Sequence, residues 1–547
     1  MMQEPLDGKL RMQGRGAGLW LVVLASLVLL PGVLSPRDFT ISDEARYADV
    51  MRGMRDEGHW IVPYLNGSFY ADKPPVFFWL ALAAGSVCGG ITPRAGVLVA
   101  ALSALGLVVV TRRMGRSIHG QGAGTASALL LLSLAVFLLC GQVVRMDMTM
   151  ALLVSLSVAS ARAGLRGARG GYAGSHVLAG LAVLVKGPLG FLFPFIAVVA
   201  TMLRRRAWAE LRRYLLNPGL VVAALMVVGW LAAAWWMGER EFVRNLIVKQ
   251  VVGRAVSDGS HGGPVWFFVA LLPALLLPWT PLIALALWRR RRSWAADDDL
   301  LWSWFLGGLA LISVVHGKLF IYALPLFPAV ALLAGPSLAE LWERCSRGVD
   351  ATRGERVALA LSAVFSFGVL CVAAVLFPLA VQKSWVASEL AVAPVWPIAI
   401  WCGAWLVLCS WWSVRGLARP ALAGLFAGAC GFAAIALLVV LPRISDLVSS
   451  RPLGSDLKAL RAEGWTVGTY AFRGDNRGIL SFHAGGNVPD LQEGDLRVWL
   501  CKPRHAVVMR RKDYERSREW IDAVAAVRLR RFLVDRDFYL VVSRAAP

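Results

Sequence analysis

The 547-residue sequence contains no CxxC pair and no glycine-rich nucleotide fingerprint. The first absence bears on its eight cysteines. Six of them (Cys88, Cys140, Cys371, Cys402, Cys409 and Cys430) lie in or beside apolar runs, Cys345 is in a basic loop and Cys501 in a polar tail. Neither a disulfide framework nor a cysteine metal site is supported, and the thiols read as small apolar packers. The second absence argues against a nucleotide cofactor. No small-residue cleavage site follows the first apolar run, about 19–35, so that run reads as an anchor rather than a signal peptide. No internal repeat emerges, which weighs against a transporter or flippase. Acidic residues are scarce: 35 Asp and Glu face 57 Lys and Arg, a net charge of +22. Such an excess can serve nucleic acid. Here the bases fall in clusters between apolar runs, where they set topology and attract anionic lipid.

Apolar sequence is what the chain has in abundance: 57% hydrophobic residues, 23 Trp, 23 Phe and a mean hydropathy of +0.60. Stretches near 20 apolar residues read as membrane spans. They fall at roughly 19–35, 76–92, 95–111, 123–143, 148–164, 174–203, 219–237, 265–288, 300–315, 319–340, 357–380, 394–413 and 421–442. Basic clusters at Arg112-Arg113, Arg162-Arg166, Arg204 to Arg206, Arg289 to Arg292, Arg344-Arg347 and Arg415-Arg419 should share one cytoplasmic side. That demand makes 76–92 a juxtamembrane or re-entrant helix and splits 174–203 at Lys186-Gly187-Pro188. The expectation is a polytopic α-helical membrane protein with about 13 spans. Residues 1–18 form a cytoplasmic N-terminus, 19–442 a transmembrane domain with a first external loop at 36–94, and 443–547 a small α+β domain outside the membrane. In that domain a helix is expected to start at Ser455, with strands at Trp465 to Phe472 and Phe538 to Ser543.

This topology gathers polar groups on the outer face: the 36–75 loop, Arg145-Met146-Asp147, Lys186, the 238–264 loop and His316-Gly317-Lys318. Charges beside a bilayer are costly, so a chain that concentrates them uses them. The first loop is the densest. Asp43 opens a helix of about 43–57 with Ser42 as N-cap, and Arg46 stands three residues on. Capping of the first turn and an i,i+3 ion pair account for such residues without any chemistry. Asp147 can likewise cap a span with Arg145 neutralising it, and Lys73 and Lys186 can snorkel. Trp60, Phe77, Phe78 and Trp79 read as interface aromatics.

Asp43-Glu44-Ala45-Arg46-Tyr47-Ala48, Trp60-Ile61-Val62-Pro63, Leu65-Asn66-Gly67 and Lys73-Pro74-Pro75 resemble the first external loop of bacterial GT-C glycosyltransferases. Their relatives are the lipid A aminoarabinose transferases and the wider dolichyl-phosphate-mannose–protein mannosyltransferase family. Lys186-Gly187-Pro188, His261 with Pro264, an aromatic run to Pro278-Trp279, and Lys318 through Tyr322 to Pro325 and Pro328 follow in order, so the resemblance covers roughly 15–340. It implies a bacterial inner-membrane enzyme with a periplasmic active site. Such an enzyme takes a sugar from a polyprenyl-phosphate donor, with inversion and without a nucleotide sugar. The acceptor is lipid A or another envelope glycan or protein, and no nucleic acid is involved.

Carried onto this chain, the resemblance makes Asp43 the carboxylate at the sugar, with Glu44 and Asp147 as further catalytic candidates. Arg46, Lys73, Lys186, Lys318, Tyr322 and Arg254 become donor-binding residues. Lys318 and Tyr322, four apart, are expected to face together from one helix. Asp72 stands where the family has Glu and, with His261, forms a candidate site for zinc or a similar divalent metal. His59 is read as a non-ligand. A protein O-mannosyltransferase-like activity is the alternative on the same scaffold.

Overall fold

The computed structural model describes residues 4–40, 43–248, 263–291, 297–383, 388–472, 478–533 and 536–544. Every apolar run of the sequence coincides with a helix or a broken pair of helices. Those used below are α1 (Glu4–Leu34), α2 (Asp43–Asp56), α3 (Val76–Cys88), α4 (Pro93–His119), α5 (Asp147–Leu165), α6 (Gly171–Lys186), α7 (Leu189–Arg204), α8 (Phe267–Leu275), α9 (Thr280–Arg290) and α10 (Asp298–Val314). Among the described residues seven helices have the length and composition to cross a membrane, and an eighth span results if α8 and α9 are counted together. That pair is bent by 112°, so the single run read at 265–288 is broken in the middle. The remaining apolar helices are shorter. Thus α3, at 13 residues, rises only about 20 Å against a hydrocarbon core of about 30 Å. That length fits the reading of 76–92 as a juxtamembrane or re-entrant helix. Gly187, at φ 106°, separates α6 from α7, as the basic clusters required.

The bundle has two chemically different ends. At one, consecutive aspartates at the start of α10 collect the basic helix ends around them. Asp297 accepts from Arg162 and Arg166 at 2.9 Å each, Asp298 from Arg290 at 2.8 Å and pairs with His119 at 2.7 Å, and Asp299 takes Arg204 and Arg205. Acids at a helix N-terminus and bases at C-termini also suit the helix dipoles. Glu355 extends the network to Arg289 and Arg344. These contacts place the basic clusters on one side, as expected from the distribution of charge.

The other end carries the candidate site and, on top of it, a five-stranded sheet. A short hairpin, β1 (Tyr64–Leu65) and β2 (Ser68–Phe69), precedes the sheet in sequence and turns at Asn66-Gly67 with φ 51° and 71°, the positive pair that an Asn-Gly turn favours. The sheet has β3 (Thr466–Tyr470), β4 (Asp490–Leu491), β5 (His505–Arg510), β6 (Ala525–Leu533) and β7 (Arg536–Ser543) in the order β4-β3-β5-β7-β6. β3 runs parallel to β4 and β5, and β7 antiparallel to β5 and β6. Ala506 and Val508 pack against α11 (Arg451–Ala462) through Leu453, Leu457 and Leu460, while Val507 and Met509 face Leu496, Leu500 and Ile521. Both faces of β5 are therefore buried, which is why this strand is a continuous apolar run without alternation. The helix expected at Ser455 begins four residues earlier, at Arg451, with Pro452 in its first turn.

Candidate functional site

Helix α2 is seated from below by aromatic packing. Tyr47 meets Phe77 and Phe78 edge-on, with ring centroids 5.9 and 5.5 Å apart, and both phenylalanines are fully buried. The reading of these two as interface aromatics is corrected: they are the floor under α2. Trp60 is exposed, and Trp79 donates to its carbonyl at 2.8 Å.

The floor sets the N-terminus of α2 against the loop that enters α5. Asp43 accepts from Arg46 at 2.5 Å and pairs with Arg145 at 3.3 Å, and its side chain is a quarter exposed. Burial raises the Asp43 pKa, but the charges of Arg46, Arg145 and Lys73 outweigh it and hold the carboxyl below its ordinary value. The i,i+3 pair anticipated in α2 is present, and a second guanidinium joins it. That second partner was read as a neutraliser of Asp147. Its signal in the sequence was its position at a span end, close to Asp147. Ser42, the expected N-cap, lies outside the described residues.

Asp147 opens α5 and is buried, paired with the buried Lys186 at the C-terminus of α6. Lys186 also sits over the ring of Tyr322, 4.7 Å from its centroid. Burial pushes the Tyr47 phenol well above its ordinary pKa, and the charges of Asp43, Tyr70 and Asp147 act in the same direction. The two aspartates therefore lie within electrostatic reach of one phenol. Asp43, Arg46, Lys73, Arg145, Asp147, Lys186 and Tyr322 form one constellation drawn from five separate stretches of chain.

Glu44 does not join it. Its two oxygens accept from Arg37 at 2.5 and 2.9 Å, from the Thr40 N–H at 2.8 Å and from the Val144 N–H at 2.7 Å. All four acceptor positions are used and the residue is buried. Burial raises its pKa, and Arg37 with the two backbone donors more than reverses that. This is a structural carboxylate that ties α2 to the preceding segment and to the loop before α5. Its catalytic assignment is corrected on that ground.

Lys318 is also reassigned. It lies in the loop after α10, not on a helix with Tyr322. Its ammonium donates to the carbonyls of Ile312, Ser313 and Val315 at 3.1, 2.5 and 2.6 Å. These are orphan acceptors of a helix C-terminus, and a cation there also suits the dipole. Tyr322 follows on a 3₁₀ turn, Phe320–Leu326, and meets Lys186 instead.

Asp72 is partly buried next to Lys73. Arg254 and His261 lie outside the described residues. Among the described residues no three His, Cys, Asp or Glu side chains converge to hold a metal ion. Asp72 is the one described donor of the expected pair, so no step below runs through a metal. His59 stacks on Tyr64 with centroids 4.0 Å apart.

Charged groups from several loops are concentrated at one end of a helical bundle beneath a small mixed sheet, the arrangement expected of a membrane glycosyltransferase of the GT-C class. Comparison with known proteins agrees. Residues 72–233 match the dolichyl-phosphate-mannose-protein mannosyltransferase family. The undecaprenyl phosphate-alpha-4-amino-4-deoxy-L-arabinose arabinosyl transferase of Pseudomonas aeruginosa is 30% identical over 522 residues, covering 89% of this chain and 90% of the relative. A namesake from Pseudomonas fluorescens is 32% identical over 326 residues, 57% of this chain and 56% of its own. The crystal structure of ArnT from Cupriavidus metallidurans bound to undecaprenyl phosphate superposes with a TM-score of 0.75 at 22% identity, covering 97% of this chain and 99% of that one. The chain belongs to the family of undecaprenyl phosphate-aminoarabinose arabinosyl transferases.

Proposed function

We propose that this enzyme transfers 4-amino-4-deoxy-L-arabinose from undecaprenyl phosphate to a phosphate group of lipid A, on the periplasmic face of the bacterial inner membrane. The observation that carries this reading is the carboxylate Asp43 held between Arg46 and Arg145 with Lys73 in electrostatic reach, at the end of the bundle away from the basic clusters. Similarity to the arabinosyl transferases over 89% of this chain supports the choice of sugar and donor over a mannosyltransferase-like activity.

The reaction breaks the bond between the sugar's anomeric carbon and the undecaprenyl phosphate oxygen. A new bond forms from that carbon to an acceptor phosphate oxygen, with inversion. The departing undecaprenyl phosphate gains negative charge, which Lys73, Arg46 and Arg145 stabilise where it develops. Guanidinium groups match phosphate oxygens in paired geometry, so Arg46 can exchange Asp43 for the donor. An acceptor phosphate is already anionic and has no proton to lose. Asp43, kept ionised by its neighbours, therefore stabilises positive charge growing at the anomeric carbon and orients the arginines. Lys186, between Asp147 and Tyr322, closes the side of the site formed by α5 and α6.

The test uses purified protein in detergent, with undecaprenyl phosphate bearing aminoarabinose or mannose, and lipid A or a peptide as acceptor. Mass spectrometry should show lipid A gaining one aminoarabinose. Transfer of mannose to the peptide with none to lipid A would establish the alternative.

A further inference from the structure

We infer that the C-terminal domain is a positioning element of the active site and that Asn66, at the hairpin turn, is the residue through which it acts; the inference rests on the donor-site reading of α2. The path begins on α2 itself. Asp49 and Arg52 follow Asp43 and Arg46 at three-residue intervals, so each side chain neighbours the next in a row that winds about half way round the helix. Asp49 is buried and accepts from Arg52 at 2.8 Å and from the backbone N–H of Asn66 at 2.8 Å. The side chain of Asn66 then enters the C-terminal domain. It donates to the Val488 carbonyl at 2.6 Å and accepts from the Val488 N–H at 2.6 Å and the Ser481 hydroxyl at 2.8 Å.

A second link runs alongside. Arg52 donates to the Asn487 side chain at 2.8 Å, and Arg461 of α11 holds that segment by donating to the carbonyls of Ala484 and Asn487 at 3.0 and 2.5 Å. Nearer the active end of α2, Thr40 forms an antiparallel bridge with Ser449, and Asp38 contacts His483 at 3.0 Å and Ser449 at 2.7 Å. Ala45 of α2 belongs to the hydrophobic core of the C-terminal domain. The helix that presents Asp43 and Arg46 is therefore gripped along its length by residues more than 400 positions away. Misplacing a reacting group by about 1 Å can lower the rate about 10²-fold, so the grip is expected to set turnover more than donor capture.

The position also explains its residue type. Asn66 has φ 51°, a conformation that Asn tolerates and most residues do not. Asn66→Gly keeps the turn and the N–H bond to Asp49 and removes only the side-chain contacts.

The experiment measures kcat and donor KM for Asn66→Gly, Asn66→Asp and Asn487→Ala, each normalised to folded protein, with Arg531→Ala as control. Arg531 pairs with Asp456 at 3.3 Å inside the C-terminal domain, with both side chains partly exposed, so its loss perturbs a pair that belongs to that domain alone. The expected result is a kcat at least about tenfold lower in Asn66→Gly with donor KM changed less than about threefold. Asn66→Asp, which retains the acceptor oxygen, should recover part of the rate, and Arg531→Ala should keep wild-type kcat. Wild-type kcat in Asn66→Gly overturns the inference. If Asn66→Gly fails to fold, Asn487→Ala decides: a lower kcat at unchanged KM supports the positioning role, and wild-type kcat overturns it. An Asp43→Asn variant in the same series separates the two readings. If it is fully active, the donor-site reading fails; if it is inactive while Asn66→Gly is normal, only the positioning role fails.

Discussion

Asp43 and Glu44 are adjacent carboxylates on one helix, and the structure gives them opposite fates under mutation. Consider Glu44→Gln. The Arg37 side chain is 1% exposed and that of Glu44 6%, so the pair is out of water. Gln keeps one acceptor oxygen of two and turns an amide group toward donors that include the Thr40 and Val144 N–H groups. Removing one partner of a buried pair leaves the other charge uncompensated and costs about 3–5 kcal/mol. An orphaned buried N–H adds about 1–3 kcal/mol, although terms within one network do not simply add. A loss of about 3–5 kcal/mol is a large share of the roughly 5–15 kcal/mol that stabilises a domain. The assay is the thermal midpoint of the detergent-solubilised protein, followed by size-exclusion chromatography, with activity measured per folded molecule. The expected outcome is a markedly lower midpoint with residual activity per folded molecule within about threefold of wild type. A normal midpoint refutes the structural reading. A normal midpoint with no activity restores Glu44 as a catalytic residue.

Lys186→Met alone should destabilise by about 3–5 kcal/mol because it strands the buried Asp147, whereas Lys186→Met with Asp147→Asn recovers stability without recovering transfer; a double-mutant cycle on midpoint and rate reads both. Asp43 has a depressed pKa in the folded state, so its stabilising contribution is present above about pH 4 and is lost as pH falls through the folded value. The rate should accordingly show no acidic limb from Asp43 between pH 5 and pH 7, and a limb near pH 6 that vanishes in Asp43→Asn would contradict this. At the opposite end, Asp298→Asn should destabilise more than Asp299→Asn. The Asp298 side chain is 2% exposed against 18% for Asp299, and exposed pairs contribute only about 0–1 kcal/mol; equal midpoints would refute the ranking.

The helical class, the split at Lys186-Gly187-Pro188 and the helix beginning at Asp43 were legible because length, hydropathy and basic clusters act locally. The short α3 fits the same reading, in which a non-spanning helix keeps Arg112 with the other bases. The pairings were not legible. Nothing near Asp43 in sequence specifies Arg145, and nothing near Asp147 specifies Lys186, because tertiary packing across distant helices selects them. Local spacing also misled. A four-residue interval suggested a shared face for Lys318 and Tyr322, but the open carbonyls at the end of α10 captured the ammonium before a helix resumed. Glu44 looked reactive from its neighbours, yet Arg37 and two backbone donors saturate it. In the C-terminal domain, β5 was missed because burial on both faces removes the alternation that marks a strand.

In the proposed mechanism Asp43, poised between two guanidinium groups, acts on the transferred sugar. Single-turnover transfer of aminoarabinose by Asp43→Asn, set beside its affinity for undecaprenyl phosphate, tests it most directly. The expected outcome is a rate lower by about 10²-fold or more, with undecaprenyl phosphate still bound and the fold intact. Transfer at the wild-type rate would contradict it.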